Sequence, residues 1–282
     1  MNQLTELFTA PEWAFLRFAI LTGIVLSPAL GVVGTMVVTR RISSLAGAST
    51  HAALGGFGLA LFLQRVCELT WFTPTLGAAL GALTAALAVG LVSMYAKERE
   101  DTVIGAVWAL GMSIGLLFLD RTPGYVDWQG YLFGNILLLN QTDLYLTAAL
   151  DVLVLVPAVL FFPALLAVSF DDTFARLRGV PAGMIYLGML SLTALTIVLL
   201  INLVGIMLVI ALLTLPAAAA GIYTAHLKSM MGLTALFSAV FITAGLLLSC
   251  FLELPSGPAV VVLASIVYAL SMFWKKYHKK RG

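Results

Sequence analysis

Two ionisable side chains, His51 and Asp151, sit inside long apolar runs of this 282-residue chain. Each costs a few kcal/mol to place in hydrocarbon, so each marks a position where function is to be sought. Neutral imidazole is the commonest transition-metal ligand among side chains. His51 is flanked by Ala46, Gly47, Ala48, Ser49 and Thr50 on one side and by Ala52, Ala53, Gly55 and Gly56 on the other, residues small enough to leave an open path beside the ring. Such a histidine is either a transit ligand for a metal ion or a ring satisfied by a neighbouring carbonyl. Asp151 has no ligand-type residue at helical spacing around it, so it either pairs with a group on an adjacent span or lines a polar cavity. Asp151 and Glu253 are the carboxylates that could join His51 as metal ligands. Glu68, Asp120 and Asp127, with Glu253, lie between apolar runs, where they could draw in a cation, although most loop acids are simply solvated. Cys67 and Cys250 have neither zinc-site spacing nor a disulfide framework. Both fall near outer span ends, where an oxidising environment could pair them. No Gly-x-x-x-x-Gly-Lys-Ser/Thr loop, His-Glu-x-x-His pair or Gly-x-Ser-x-Gly elbow occurs, so the chain is not read as an enzyme and does not itself hold a nucleotide.

The other chemically distinctive stretch is a polar island, residues 169–182, between two long apolar runs. Phe170 and Phe174 stand four apart and Leu177 follows three later, which predicts a short helix with one apolar stripe. Asp171 and Asp172 lie at its start and Arg176 and Arg178 at its end, as the helix dipole prefers. Gly179 and Pro181 stop it. The element is either a solvated connection or a docking surface built from Phe170, Asp171, Phe174, Ala175, Arg176, Leu177, Arg178, Gly179 and Pro181.

The elements that position these residues follow from bulk composition. With 61% hydrophobic and 10% charged residues and a mean hydropathy of +1.07, the chain is an integral membrane protein of the all-α class, a single polytopic helical bundle. Spans are expected at about 13–39, 45–63, 75–96, 103–119, 144–168, 183–202, 204–223, 230–252 and 258–274. That is nine, or eight if a poorly separated segment does not cross. The N-terminal spans thus cover about 13–168, the island 169–182, the C-terminal spans 183–274, and a basic tail 275–282. Residues 1–12 could lie in the interface plane, and the apolar piece 131–139 is too short to cross and is read as re-entrant or interfacial. Gly77 with Gly81, and Gly111 with Gly115, repeat the small-xxx-small spacing that lets helices approach closely.

Orientation follows from the placement of charge. With the N-terminus outside, Arg40, Arg41, Lys97, Arg99, Arg176, Arg178, Lys228 and the five basic residues of the tail face inward, leaving only Arg17, Arg65 and Arg121 of the fifteen Lys and Arg outside. This satisfies the positive-inside rule and puts both the island and the C-terminus in the cytoplasm. The basic residues do not gather on a stripe with aromatic neighbours, so nucleic acid is not a partner.

In order along the chain, five segments resemble one family. They are Val37-Val-Thr-Arg-Arg-Ile-Ser-Ser-Leu-Ala-Gly-Ala-Ser-Thr-His-Ala52, Pro123-Gly-Tyr-Val-Asp-Trp-Gln-Gly-Tyr-Leu-Phe-Gly-Asn-Ile-Leu137, Phe170-Asp-Asp-Thr-Phe-Ala-Arg-Leu-Arg-Gly-Val-Pro181, Val204-Gly-Ile-Met-Leu-Val-Ile-Ala-Leu-Leu-Thr-Leu-Pro-Ala-Ala218 and Leu252-Glu-Leu-Pro-Ser-Gly257. The family is the membrane permease subunit of zinc and manganese ABC importers, related more distantly to siderophore and cobalamin permeases. The resemblance covers nearly the whole chain. It implies a homodimer in the bacterial cytoplasmic (inner) membrane, paired with cytoplasmic ABC ATPase subunits and an extracytoplasmic metal-binding protein, carrying zinc or manganese, or else iron, as cargo without a resident cofactor. ATP would be used by the partner. The island then becomes a coupling helix seated on the ATPase, with Phe170, Phe174 and Leu177 as its apolar contact and Arg176 and Arg178 as its rim. The sequence departs from the pattern at Gly47, where many members carry an aspartate four residues before the histidine. The other readings are import of a chelated metal such as a siderophore and a self-sufficient secondary transporter. The second would show internal repeats, and no clear repeat is visible.

Overall fold

The computed structural model describes residues 13–95, 100–124 and 141–279. The expectations for residues 1–12 and 131–139 lie outside the described residues. Ten helices are described: α1 (Ala14–Thr39), α2 (Ser43–Val66), α3 (Pro74–Tyr95), α4 (Glu100–Arg121), α5 (Gln141–Leu160), α6 (Phe162–Phe170), α7 (Asp172–Leu177), α8 (Ala182–Tyr223), α9 (Leu227–Leu252) and α10 (Ser256–Lys279). Among the described residues nine segments are long and apolar enough to cross a membrane, α8 supplying two of them, Ala182–Ile201 and Val204–Tyr223. Residues 202 and 203 separate them, and the helix is interrupted at Gly205, the second residue of the later segment, with φ of 78° and ψ of 161°. Only glycine adopts that combination readily.

Two sequence expectations are corrected here. The fifth span does not run to residue 168. It contains Pro157 and ends at Leu160, and after Phe161 the chain restarts as α6 with Pro163 in its first turn, where a missing N–H costs nothing,. The island is also not one helix with Phe170 on its stripe. Phe170 closes α6, and Asp171 is extended (φ −152°, ψ 104°) between α6 and α7. The basic tail, in addition, begins inside α10 rather than after it.

The described residues divide into two compact units: 13–35, 141–159 and 202–279 form one, and 36–95, 100–124 and 160–201 the other. In the second unit, α2 is the helix on which α3 and α4 pack. Its small residues let neighbouring backbones touch it: a Cβ on Gly55 would lie 2.7 Å from the Gly111 carbonyl and one on Gly58 2.5 Å from the Gly115 carbonyl, while one on Gly56 would land on the Gly77 carbonyl. The two Gly-xxx-Gly pairs thus seat α3 and α4 against α2 at backbone contact.

In the first unit the crossings are similarly close. A Cβ on Gly31 would meet the Met231 carbonyl at 2.6 Å, and one on Gly34 the Leu213 carbonyl at 2.7 Å. Thr35 and Thr234 share a buried hydroxyl–hydroxyl hydrogen bond of 3.1 Å at this level. The Tyr223 hydroxyl on α8 donates to Ser271 Oγ on α10 at 3.0 Å, and Ser271 donates to the Val267 carbonyl.

Candidate functional site

His51 lies in the third turn of α2 and is half-buried. Its ring is stacked on Trp108 of α4, centroids 4.8 Å apart and planes 24° from parallel. Nδ1 of His51 is buried without a hydrogen-bond partner. A neighbouring carbonyl therefore does not satisfy that nitrogen, which is an unspent lone pair or N–H in an otherwise apolar wall. Thr50 donates its proton to the Ala46 carbonyl at 2.6 Å, so its oxygen is left as an acceptor only. Trp108 also explains Gly47. A Cβ there would fall 2.7 Å from Cζ3 and 2.9 Å from Cη2 of the indole, so the ring that covers the imidazole also fills the space a side chain at 47 would need. The sequence reading missed Trp108. Its signal is a lone tryptophan among the small and aliphatic residues in the middle of the span.

Asp151 is buried, at 8% exposure, and its Oδ1 accepts the N–H of Ala29 at 2.9 Å. Ala29 follows Pro28, which lies inside α1. Proline cannot donate to the carbonyl four residues back, here Ile24, and Ser27 Oγ donates to that carbonyl instead at 2.7 Å. Asp151 and Ser27 thus bind the backbone on either side of the proline break, which gives the carboxylate a structural task. Glu253 is exposed at the C-terminal end of α9, in the left-handed region at φ 53°. His51 belongs to one compact unit, and Asp151 and Glu253 to the other. Among the described residues no group of three or more His, Cys, Asp or Glu could hold a metal ion. Cys67 and Cys250 are both free.

The island residues are brought together. Asp171 caps α7, its Oδ1 accepting from the N–H of Thr173 at 2.8 Å and of Phe174 at 3.0 Å, the usual role of an aspartate at this position. Ala175 is fully buried and fixes the inner face. Phe170, Phe174 and Leu177 are 65%, 48% and 83% exposed, so each presents apolar surface, Phe170 from the end of α6 and the other two from α7. The Arg178 guanidinium stands 5.1 Å from the Phe174 ring centroid, a cation–π distance. Arg176 and Pro181 are exposed, and Gly179, at φ 76°, turns the chain into α8. A groove beside the element is lined by Met94 and Tyr95 at the end of α3 and by Arg176, Val180 and Met184. The α3 end and the island therefore share one end of this unit.

Residues 12–275 match the model of the ABC 3 transport family. The chain is 31% identical over 276 residues to the manganese transport system membrane protein MntC of Halalkalibacterium halodurans, covering 97% of this chain and 92% of that one. It is 32% identical over 258 residues to the high-affinity zinc uptake system membrane protein ZnuB of Haemophilus influenzae, covering 90% and 95%. Among solved structures, PsaBC from Streptococcus pneumoniae in complex with Fab matches with a TM-score of 0.83 at 28% identity, covering 99% of this chain and 98% of that one.

Proposed function

Since the chain belongs to the ABC 3 transport family, we infer that it is the membrane permease of an ATP-driven importer of a divalent transition metal, manganese or zinc. Relatives along nearly the full length are named as manganese and zinc transport membrane proteins. The single observation that carries the mechanism is the exposed apolar surface of Phe174 and Leu177 on the capped, stopped α7, with the exposed Phe170 just before it, at one end of the unit. In water such a surface costs free energy, and a groove on a partner repays it. The partner is a cytoplasmic ABC ATPase, because the permease itself carries no nucleotide motif and import against a gradient needs one.

The rest of the assembly follows from this reading. In this reading the N-terminus is outside and the C-terminus cytoplasmic, an orientation supported by an odd number of crossings and the inward excess of Lys and Arg. Two copies of the chain enclose the pathway, and an extracytoplasmic metal-binding protein delivers the ion. His51 is the transit ligand: one imidazole in a small-residue wall holds an ion weakly, which suits a site that must release it. Ser49, Thr50 or a carboxylate from another element supplies what further coordination the ion receives.

The test is co-purification with an ABC ATPase expressed alongside. The wild-type chain retains the ATPase, and Phe174→Asp, which puts a charge into the apolar contact, loses it. Retention of the ATPase and of manganese and zinc uptake by Phe174→Asp would refute the docking role.

A further inference from the structure

The turn between α1 and α2 carries two arginines to which the transport cycle above gives no task. It is closed by hydrogen bonds. The N–H of Arg41 donates to the Val38 carbonyl at 3.1 Å and that of Ile42 to the Val37 carbonyl at 3.0 Å. These are the paired bonds of a Schellman end, with Arg41 in the left-handed region at φ 58°. Ile42 is buried, and its own carbonyl accepts the N–H of Leu45 at 3.0 Å, already in the first turn of α2. No slack residue separates the end of α1 from the start of α2.

The Arg40 side chain leaves this turn and meets the chain just before and just after the island. Its Nη1 donates to the carbonyl of Val168, in the last turn of α6, where a helix leaves carbonyls without internal donors and a cation is favoured. Its guanidinium carbon lies 4.9 Å from the centroid of the Tyr186 ring, on a residue only 6% exposed in the first turns of α8. Val168 precedes residues 169–182 and Tyr186 follows them. One half-buried side chain is thus held from both flanks of the element, while its own backbone is locked to the head of α2.

We propose that Arg40 is the positioning residue through which displacement of the 169–182 element is passed to α2 and to His51, about 12 Å further along that helix at 1.5 Å per residue. The proposal rests on the reading that this element is seated on an ATPase. Arginine suits the task because its planar fork donates in its plane and stacks with its face, so it holds the Val168 carbonyl and the Tyr186 ring together. Lysine, a point charge, makes one of these contacts well at the expense of the other.

The experiment uses the assembled transporter in proteoliposomes, with manganese(II) and zinc(II) as probes, and measures ATPase retention, ATP hydrolysis and uptake on the same preparations. Wild type is compared with Arg40→Gln, Arg40→Lys, Tyr186→Phe and Tyr186→Leu. The expected result for Arg40→Gln is wild-type ATPase retention and continued hydrolysis, with uptake per ATP lowered about tenfold, the factor that loss of one charge-assisted hydrogen bond commands. Arg40→Lys restores part of the loss, Tyr186→Phe, which keeps the aromatic face, retains more of the coupling than Tyr186→Leu, and Tyr186→Leu falls toward Arg40→Gln. A wild-type ratio of uptake to hydrolysis in both Arg40→Gln and Tyr186→Leu overturns the proposal. So does loss of the ATPase from Arg40→Gln, which would make Arg40 part of the docking surface. A wild-type chain that retains no ATPase would instead overturn the underlying reading, and this joint with it.

Discussion

Alanine at Gly47 tests whether Trp108, rather than chance, determines what stands before His51. The added Cβ would lie 2.7 and 2.9 Å from two carbons of the indole, where ordinary contacts fall at 3.4–4 Å. Holding the ring in place would be overpacking, at about 1–3 kcal/mol. The indole is 37% exposed, so it has room to swing aside at the cost of its stack on His51, about 0.5–1.5 kcal/mol for an aromatic pair. The cheaper route wins, and Gly47→Ala should destabilise by about 1 kcal/mol while uncovering the imidazole. The assay is a double-mutant cycle by thermal unfolding in detergent, with Gly47→Ala, Trp108→Ala and the double variant. The cost of the alanine should vanish once the indole is gone, giving a coupling of about 1 kcal/mol. Additivity within about 0.5 kcal/mol would refute the steric account. The same cycle on uptake has a further member, Gly47→Asp with Trp108→Leu, which sets a carboxylate one turn before the imidazole. That variant should retain manganese and zinc more tightly and release them more slowly.

His51→Ala should lower manganese and zinc uptake without loss of the ATPase, and uptake of both at the wild-type rate would leave His51 a packing residue. Asp151→Ala removes the acceptor of a buried N–H and should cost about 1–3 kcal/mol in unfolding experiments. Asp151→Asn, which retains a carbonyl acceptor, should cost clearly less, and equal losses would show that the Ala29 bond contributes nothing. Gly56→Ala meets the Gly77 backbone rather than a side chain, so α2 and α3 must part, at about 1–3 kcal/mol. Gly105→Ala, with nothing within 4 Å of its Cβ, is the control and should cause no loss of thermal stability.

Much of the fold was legible because its causes are local. A run of apolar residues long enough to cross hydrocarbon is a helix whatever its neighbours, since its backbone groups have no other partners there. The Gly-xxx-Gly pairs at 77 and 81 and at 111 and 115 announced backbone contact, and Gly179 announced the end of α7. The misplacement of Phe170 also has a local cause. Four-residue spacing suggested one helix, but the Asp171 carboxylate caps the N–H groups of Thr173 and Phe174, which requires Asp171 to leave helical conformation. The preference of aspartate for that position was the available signal.

The sequence by itself determined that the chain is a bundle of membrane helices, where the polar island lies between them, and that a histidine stands alone in a wall of small residues. Only the tertiary structure decided what those features meet: Trp108 over His51 and Gly47, Asp151 on the backbone beside Pro28, and Arg40 between Val168 and Tyr186. The physical reason is range. Hydropathy, caps and glycine spacing act within a turn or two of helix, whereas a buried imidazole, carboxylate or guanidinium takes its partner from whichever span packs beside it, and that choice is made by the assembled bundle.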